Sequence, residues 1–231
     1  MRPDLSAEQR AWFGLRLADL ELRHGNLRSA EEVIKESLRE APDDWRLILV
    51  RARLEAAQGA WRKSAQSAED VIATVPSPEA FAFLATAQRE LGQVEEADAL
   101  DLALDGIVAS QTGMIHRSWA MTLLDRDRNV APIVAMAASD TLNRRDVYSL
   151  DLLAWALHKA GRSAEALSLA RRATQLGSVE PMLRYHAGMI ELAAGDATIG
   201  RQHLSIALGR SRALGAGQVS EIRRALATTR N

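Results

Sequence analysis

The stretch Ala160-Gly161-Arg162-Ser163-Ala164-Glu165-Ala166 decides the fold, because it recurs. Versions of it stand at His24-Gly25-Asn26-Leu27-Arg28-Ser29-Ala30, Gln58-Gly59-Ala60-Trp61-Arg62-Lys63-Ser64, Leu91-Gly92-Gln93-Val94-Glu95-Glu96-Ala97 and Ala194-Gly195-Asp196-Ala197-Thr198-Ile199-Gly200. Each reads as a helix end, a glycine able to take a left-handed backbone, and a new helix start. The glycines at 25, 59, 92, 161 and 195 are spaced by 34, 33, 69 and 34 residues. The 69-residue interval is two periods with a concealed turn, and Asp127 stands where that turn falls.

Working outward, small residues recur at two further register points. With the turn at position 15 of each unit, position 8 reads Ala18, Ala52, Ala85, Ala120, Ala154 and Gly188. Position 20 reads Ala30, Ser64, Ala97, Pro132, Ala166 and Gly200. Small side chains at both points let two helices approach closely. Leu150, Leu153, Ala154 and Leu157 recur at i, i+3, i+4 and i+7, the apolar stripe of an amphipathic helix. A single helix pair cannot bury both faces, so such units stack and share a core.

A repeat of about 34 residues with two helices per unit resembles the tetratricopeptide repeat. The resemblance covers about residues 11–214, with Pro42 and Pro76 as closing prolines. The family's aromatic at position 11 is replaced by Glu21, Glu55, Gln88, Leu123, Leu157 and Glu191, so the units are divergent. The resemblance implies an all-α, right-handed α-solenoid of about six helix-turn-helix units, over residues 11–44, 45–77, 78–112, 113–146, 147–180 and 181–214. Unit four departs most: its turn reads Asp125-Arg126-Asp127-Arg128-Asn129, with Asn129 expected to cap the next helix. Gly106 and Gly113 make residues 106–113 a candidate hinge. Residues 218–229, with Val219, Ile222 and Leu226 on one side, read as a capping helix, or as a detachable helix that binds a partner.

Composition agrees with this and excludes much chemistry. Among 231 residues, 41 are Ala and 31 Leu, both strong helix formers. The absence of Cys removes disulfides, Cys zinc sites and thiol nucleophiles. A net charge of −1 provides no basic field for nucleic acid, although Glu95, Glu96, Asp98, Asp101 and Asp105 form an acidic run and residues 181–231 carry a local excess of Arg. No Gly-rich phosphate loop, HExxH or nucleophile elbow is present, so no enzyme and no cofactor is expected. The five His, at 24, 116, 158, 186 and 203, do not suggest a metal site. With no long apolar run and no signal-peptide pattern at Met1–Ser6, a cytoplasmic protein without a membrane span is expected, unless the chain is a fragment of a longer exported one.

In the resembled family the first helix of each unit lines a concave groove. The register then places Trp12, Arg53, Phe83, Arg117, Met121, Tyr148, Trp155, His158, Tyr185, His186 and Met189 on that groove. Aromatic and Met side chains supply large, adaptable contact area where partners dock. The family's basic clamp for chaperone tails has no counterpart: Leu15, Asp19, Val50, Glu79 and Phe83 stand at its positions. The expected function is a protein-interaction scaffold that takes a partner peptide or helix. Self-assembly into a homo-oligomer and small-ligand regulation through Tyr148, His158, Tyr185 and His186 are the alternatives.

Overall fold

The computed structural model describes residues 5–110 and 116–228, with side-chain surroundings given outside 108–110. Of the candidate hinge at 106–113, residues 106–110 continue α6 as helix, and 111–113 lie outside the described residues. The chain divides into two compact units, Met1–Gln111 and Thr112–Asn231. Among the described residues every regular element is helical. Unit 1 holds α1 (Ala7–His24), α2 (Leu27–Glu40), α3 (Trp45–Ala57), α4 (Trp61–Thr74), α5 (Pro78–Glu90) and α6 (Val94–Ser110). Unit 2 holds α7 (Arg117–Asp125), α8 (Val130–Asn143), α9 (Val147–Lys159), α10 (Ser163–Thr174), α11 (Pro181–Ala193) and α12 (Ala197–Leu208). A 3₁₀ turn, Ser211–Ala213, then leads to α13 (Ala216–Thr228).

Local chemistry sets the helix starts. Ser6 and Gln9 close a capping box on α1. Asp44, Asp146 and Asp196 accept from the first free amides of α3, α9 and α12. Pro78 and Pro181 open α5 and α11, where the missing N–H costs nothing.

The turns confirm the period. Gly25, Gly59, Gly92, Gly161 and Gly195 all have positive φ, between 73° and 94°. In the fourth repeat Asp127 takes the same backbone, at φ 54°. Its hydrogen bonds copy those of the glycine turns: Asp127 N donates to Leu124 O at 3.0 Å and Arg128 N to Leu123 O at 2.9 Å, as Gly161 N does to His158 O and Arg162 N to Leu157 O. Two nested bonds of this kind satisfy the last carbonyls of a helix. A left-handed non-glycine residue is strained by roughly 1–2 kcal/mol. Asp127→Gly is therefore expected to stabilise unit 2 by about 0.5–1 kcal/mol in urea unfolding, the gain being reduced by loss of the 2.6 Å ion pair of Asp127 with Lys159.

Two expectations for this repeat change. Asn129 is itself left-handed, at φ 50°, and its side chain does not cap α8. Pro132 is exposed, and Ile133, one residue on, takes the buried place. Pro132 lies in the first turn of α8, where its ring is tolerated, and the shift brings the larger Ile133 inward.

Helix pairs α1/α2, α3/α4 and α5/α6 pack in unit 1, and α7/α8, α9/α10 and α11/α12 in unit 2. Within each unit the second helix of a pair also packs on the next first helix, as α2 on α3, α4 on α5, α8 on α9 and α10 on α11. Consecutive first helices pack together (α1 on α3, α3 on α5, α7 on α9, α9 on α11), with no comparable packing between consecutive second helices of a unit among the described residues. The first helices therefore form the inner side of each unit. Ala18, Leu22, Ala30, Ile34, Val50 and Leu54 make one continuous core across the first two pairs, as stacking requires.

Candidate functional site

The inner side of unit 2 gathers most of the unusual side chains. Trp155 on α9 is its centre. Its ring stacks on His186 at 4.3 Å between centroids and on His158 at 5.0 Å, with Tyr185 tilted against it at 5.3 Å. Its indole N–H donates to Asp125 Oδ1 at 3.1 Å, at the C-terminal end of α7. Lys159 Nζ lies 5.7 Å from the Trp155 ring centre.

Below this layer lies a buried charge relay between neighbouring helices. Asp151 accepts from Arg117 Nη2 at 2.6 Å and from His186 Nδ1 at 2.8 Å. Burial pushes the Asp151 carboxyl up, but His186 and Arg117 outweigh it and hold it below the usual range. His186 Nδ1 is thus the donor, and His186 Nε2 is buried with no hydrogen-bond partner. Arg117 also lies 5.2 Å from the Tyr148 ring centre, and the Tyr148 hydroxyl donates to the buried Glu180 at 2.8 Å.

The upper edge is reached by α13. The Tyr185 hydroxyl donates to Glu221 Oε2 at 2.5 Å. Burial and then this carboxylate push the Tyr185 phenol well above its ordinary value. Gln218 Nε2 donates to Asp125 Oδ2 at 2.9 Å. Asp125 is open to water yet ringed by protein, and that desolvation pushes its carboxyl up despite His186, Trp155 and Gln218.

His158, half-buried with Nδ1 2.9 Å from the Ser163 hydroxyl, is pushed down to about 4 by burial first, then by Lys159 and His186. The folded chain therefore refuses a proton that the unfolded chain takes below pH 6.5. This contribution is complete above pH 6.5 and is lost as pH falls toward 4. Partial exposure limits it to about 1–2 kcal/mol. Melting temperature against pH should fall less steeply through that window in His158→Gln than in the wild type.

Of the residues read from the sequence as groove-lining, the structure brings together Arg117, Tyr148, Trp155, His158, Tyr185 and His186. Three of these are floor rather than free surface: Trp155 and Tyr185 are 2% exposed and His186 1%. Packing of α9 against α7 and α11 covers them. Met121 and Met189 are half-buried on α7 and α11. Trp12, Arg53 and Phe83 belong to unit 1. Trp12 is 49% exposed and meets Phe13 edge-on at 5.0 Å. Arg53 pairs with Asp19 of the neighbouring first helix at 2.6 Å, and Phe83 packs against two core clusters. Of the acidic run on α6, Asp101 is fully buried and pairs with Arg89 at 2.8 Å, so the run is not wholly a solvated face.

Sequence reasoning passed over Asp125, Glu180, Gln218 and Glu221. Asp125 left a signal: a carboxylate at a helix C-terminus opposes the helix dipole and needs another reason to be there. Among the described residues, no group of three or more His, Asp or Glu is placed to hold a metal, and no helix is long and apolar enough to cross a membrane.

No family model and no curated protein matches the sequence. Solved structures do match. The Cut9–Hcn1 hetero-tetramer of the APC/C aligns at a TM-score of 0.50 and 12% identity, over 94% of this chain and 42% of that one. The type IV pilus biogenesis factor PilW aligns at 0.48 and 15%, over 93% and 99%. A thermophilic TPR protein of Thermus thermophilus aligns at 0.41 and 14%, over 94% and 97%. At such identities the likeness is one of fold, and the present chain spans less than half of Cut9–Hcn1's matched chain. With the repeated turns and the pairwise stacking, the likeness shows the fold: an all-α helical repeat, similar in architecture to tetratricopeptide-repeat solenoids.

Proposed function

We propose that the protein is a non-catalytic protein-interaction scaffold whose partner surface is the inner side of unit 2. The observation that supports this is the water-accessible Asp125 set on an aromatic floor of Trp155, His158 and Tyr185, contributed by three successive first helices. A rigid floor with a few fixed polar groups at its edge gives a docking peptide both contact area and direction.

Asp125→Ala combined with His158→Ala removes polar edge groups and leaves Trp155 and Tyr185 in place. Proteins captured by the wild type in a pull-down should be lost with this variant, while its circular dichroism and melting stay those of a folded helical chain. An unchanged captured set would overturn the assignment of this surface.

A further inference from the structure

The last helix does not end its contacts at the last helix pair. α13 packs on α12 and α11, yet Gln218 in its first turn reaches Asp125 on α7, 93 residues earlier in the chain. Gln218 also meets Met182 Sδ at 3.6 Å, and Glu221 takes the Tyr185 hydroxyl. The first turns of α13 thus rest on the surface assigned above to a partner.

Its hold is slight. Among the described residues of α13 only Ile222 is buried, whereas α11 buries eight, including Leu183, Tyr185 and Ile190. The helix hangs on a short tether with Gly209 before it, Gly215 at its start and Gly217 in its first turn. A side chain at Gly217 would meet nothing within 4 Å, so the first turn is held through Gln218 and not through packing at Gly217.

We infer that α13 is a tethered occupant of the unit 2 inner face, and that the partner suited to this face is an amphipathic helix of the same chemistry. The floor dictates that chemistry. Asp125 needs a donor, which Gln218 provides as an amide. Tyr185 needs an acceptor, which Glu221 provides three residues on, on the same side of the helix. Ile222, next in sequence, supplies the apolar anchor. A helix presenting Gln-x-x-Glu-Ile in this register makes the same contacts from another chain. A tether keeps the local concentration of α13 high, so an incoming helix binds only to the fraction of molecules whose face is open.

The inference rests on the proposed scaffold reading, and its test is separate from the pull-down. The probe is a fluorescent synthetic peptide of residues 216–228, titrated into the full chain and into the full-length double variant Gln218→Ala, Glu221→Ala. The variant loses two side-chain bonds that hold its own α13, so it should bind the peptide about ten-fold more tightly than the wild type. Adding Tyr185→Phe should abolish that gain. Amide exchange in the wild type should be faster in α13 than in α11, and faster still in the double variant. Equal affinity for wild type and double variant, no binding to either, a gain that survives Tyr185→Phe, or α13 amides as protected as those of α11 would each overturn the inference. None of these results bears on whether Asp125 and His158 capture other proteins.

Discussion

Asp151→Ala lowers the unfolding free energy of unit 2 by about 3–5 kcal/mol, read as a lower urea midpoint. Asp151 is 2% exposed and serves two partners on two different helices, Arg117 of α7 and His186 of α11. Alanine leaves both donors in place without their acceptor. His186 is the group that water cannot serve, at 1% side-chain exposure with Nε2 already buried without a hydrogen bond, whereas Arg117 is 29% exposed and leaves its buried Nε unpaired. The cost is that of uncompensated buried polar groups rather than of the lost attraction alone. Asp151→Asn, which keeps an acceptor oxygen and the volume, should lose about half as much. Unit 1 supplies the comparison. Asp19 on α1 pairs with Arg53 of the neighbouring first helix and with Arg23 of its own helix, but its side chain is 14% exposed. Water can serve the two arginines after Asp19→Ala, and the expected loss is about 1–2 kcal/mol. Equal losses at the two sites would show that burial of Asp151 does not set its worth.

What was legible in the sequence is what is local. A left-handed residue at the end of a helix is a property of a few adjacent positions, so five glycines reveal their turns directly. Asp127 then reveals the sixth by register alone. Small residues at positions 8 and 20 are legible for a similar reason, because both belong to one helix pair: Ala18 and Ala30, Ala85 and Ala97, and Ala154 and Ala166 are all essentially buried. The site was only half legible. The period says that Trp155, Tyr185 and His186 share a side, and they do touch. It says nothing of depth, which depends on how closely three first helices pack and on what lies over them. Asp125 and Gln218 were beyond reach, since their contact joins residues 93 apart with no repeat relating them. Pro132 misled for another reason. A proline held in the first turn of a helix keeps its place there, and the packing register moved to Ile133 instead.

Gly188→Ala is expected to destabilise unit 2 by about 2 kcal/mol, although alanine is the better helix former by about 1 kcal/mol. Gly188 on α11 faces Gly200 on α12, at the two positions where the first, third and fifth repeats carry alanine at both. In this unit the helices have closed further. A Cβ at Gly188 would lie 2.6 Å from Leu204 side-chain carbons and 3.0 Å from the Gly200 carbonyl oxygen. One at Gly200 would lie 2.8 Å from Leu192 and 3.0 Å from the Gly188 carbonyl. Leu204 is fully buried and cannot swing into water, and a backbone carbonyl cannot yield without moving its helix. The pair must therefore separate, and contacts along α11 and α12 loosen together. Because both substitutions are relieved by the same separation, Gly188→Ala with Gly200→Ala should cost less than the sum of the two single changes. Gly106→Ala is the control of opposite sign. Gly106 lies within α6 with nothing inside 4 Å of an added Cβ, so alanine there should stabilise unit 1 by up to about 1 kcal/mol. A gain at both Gly106 and Gly188 would mean that α11 and α12 are no closer than the alanine pairs elsewhere in the chain.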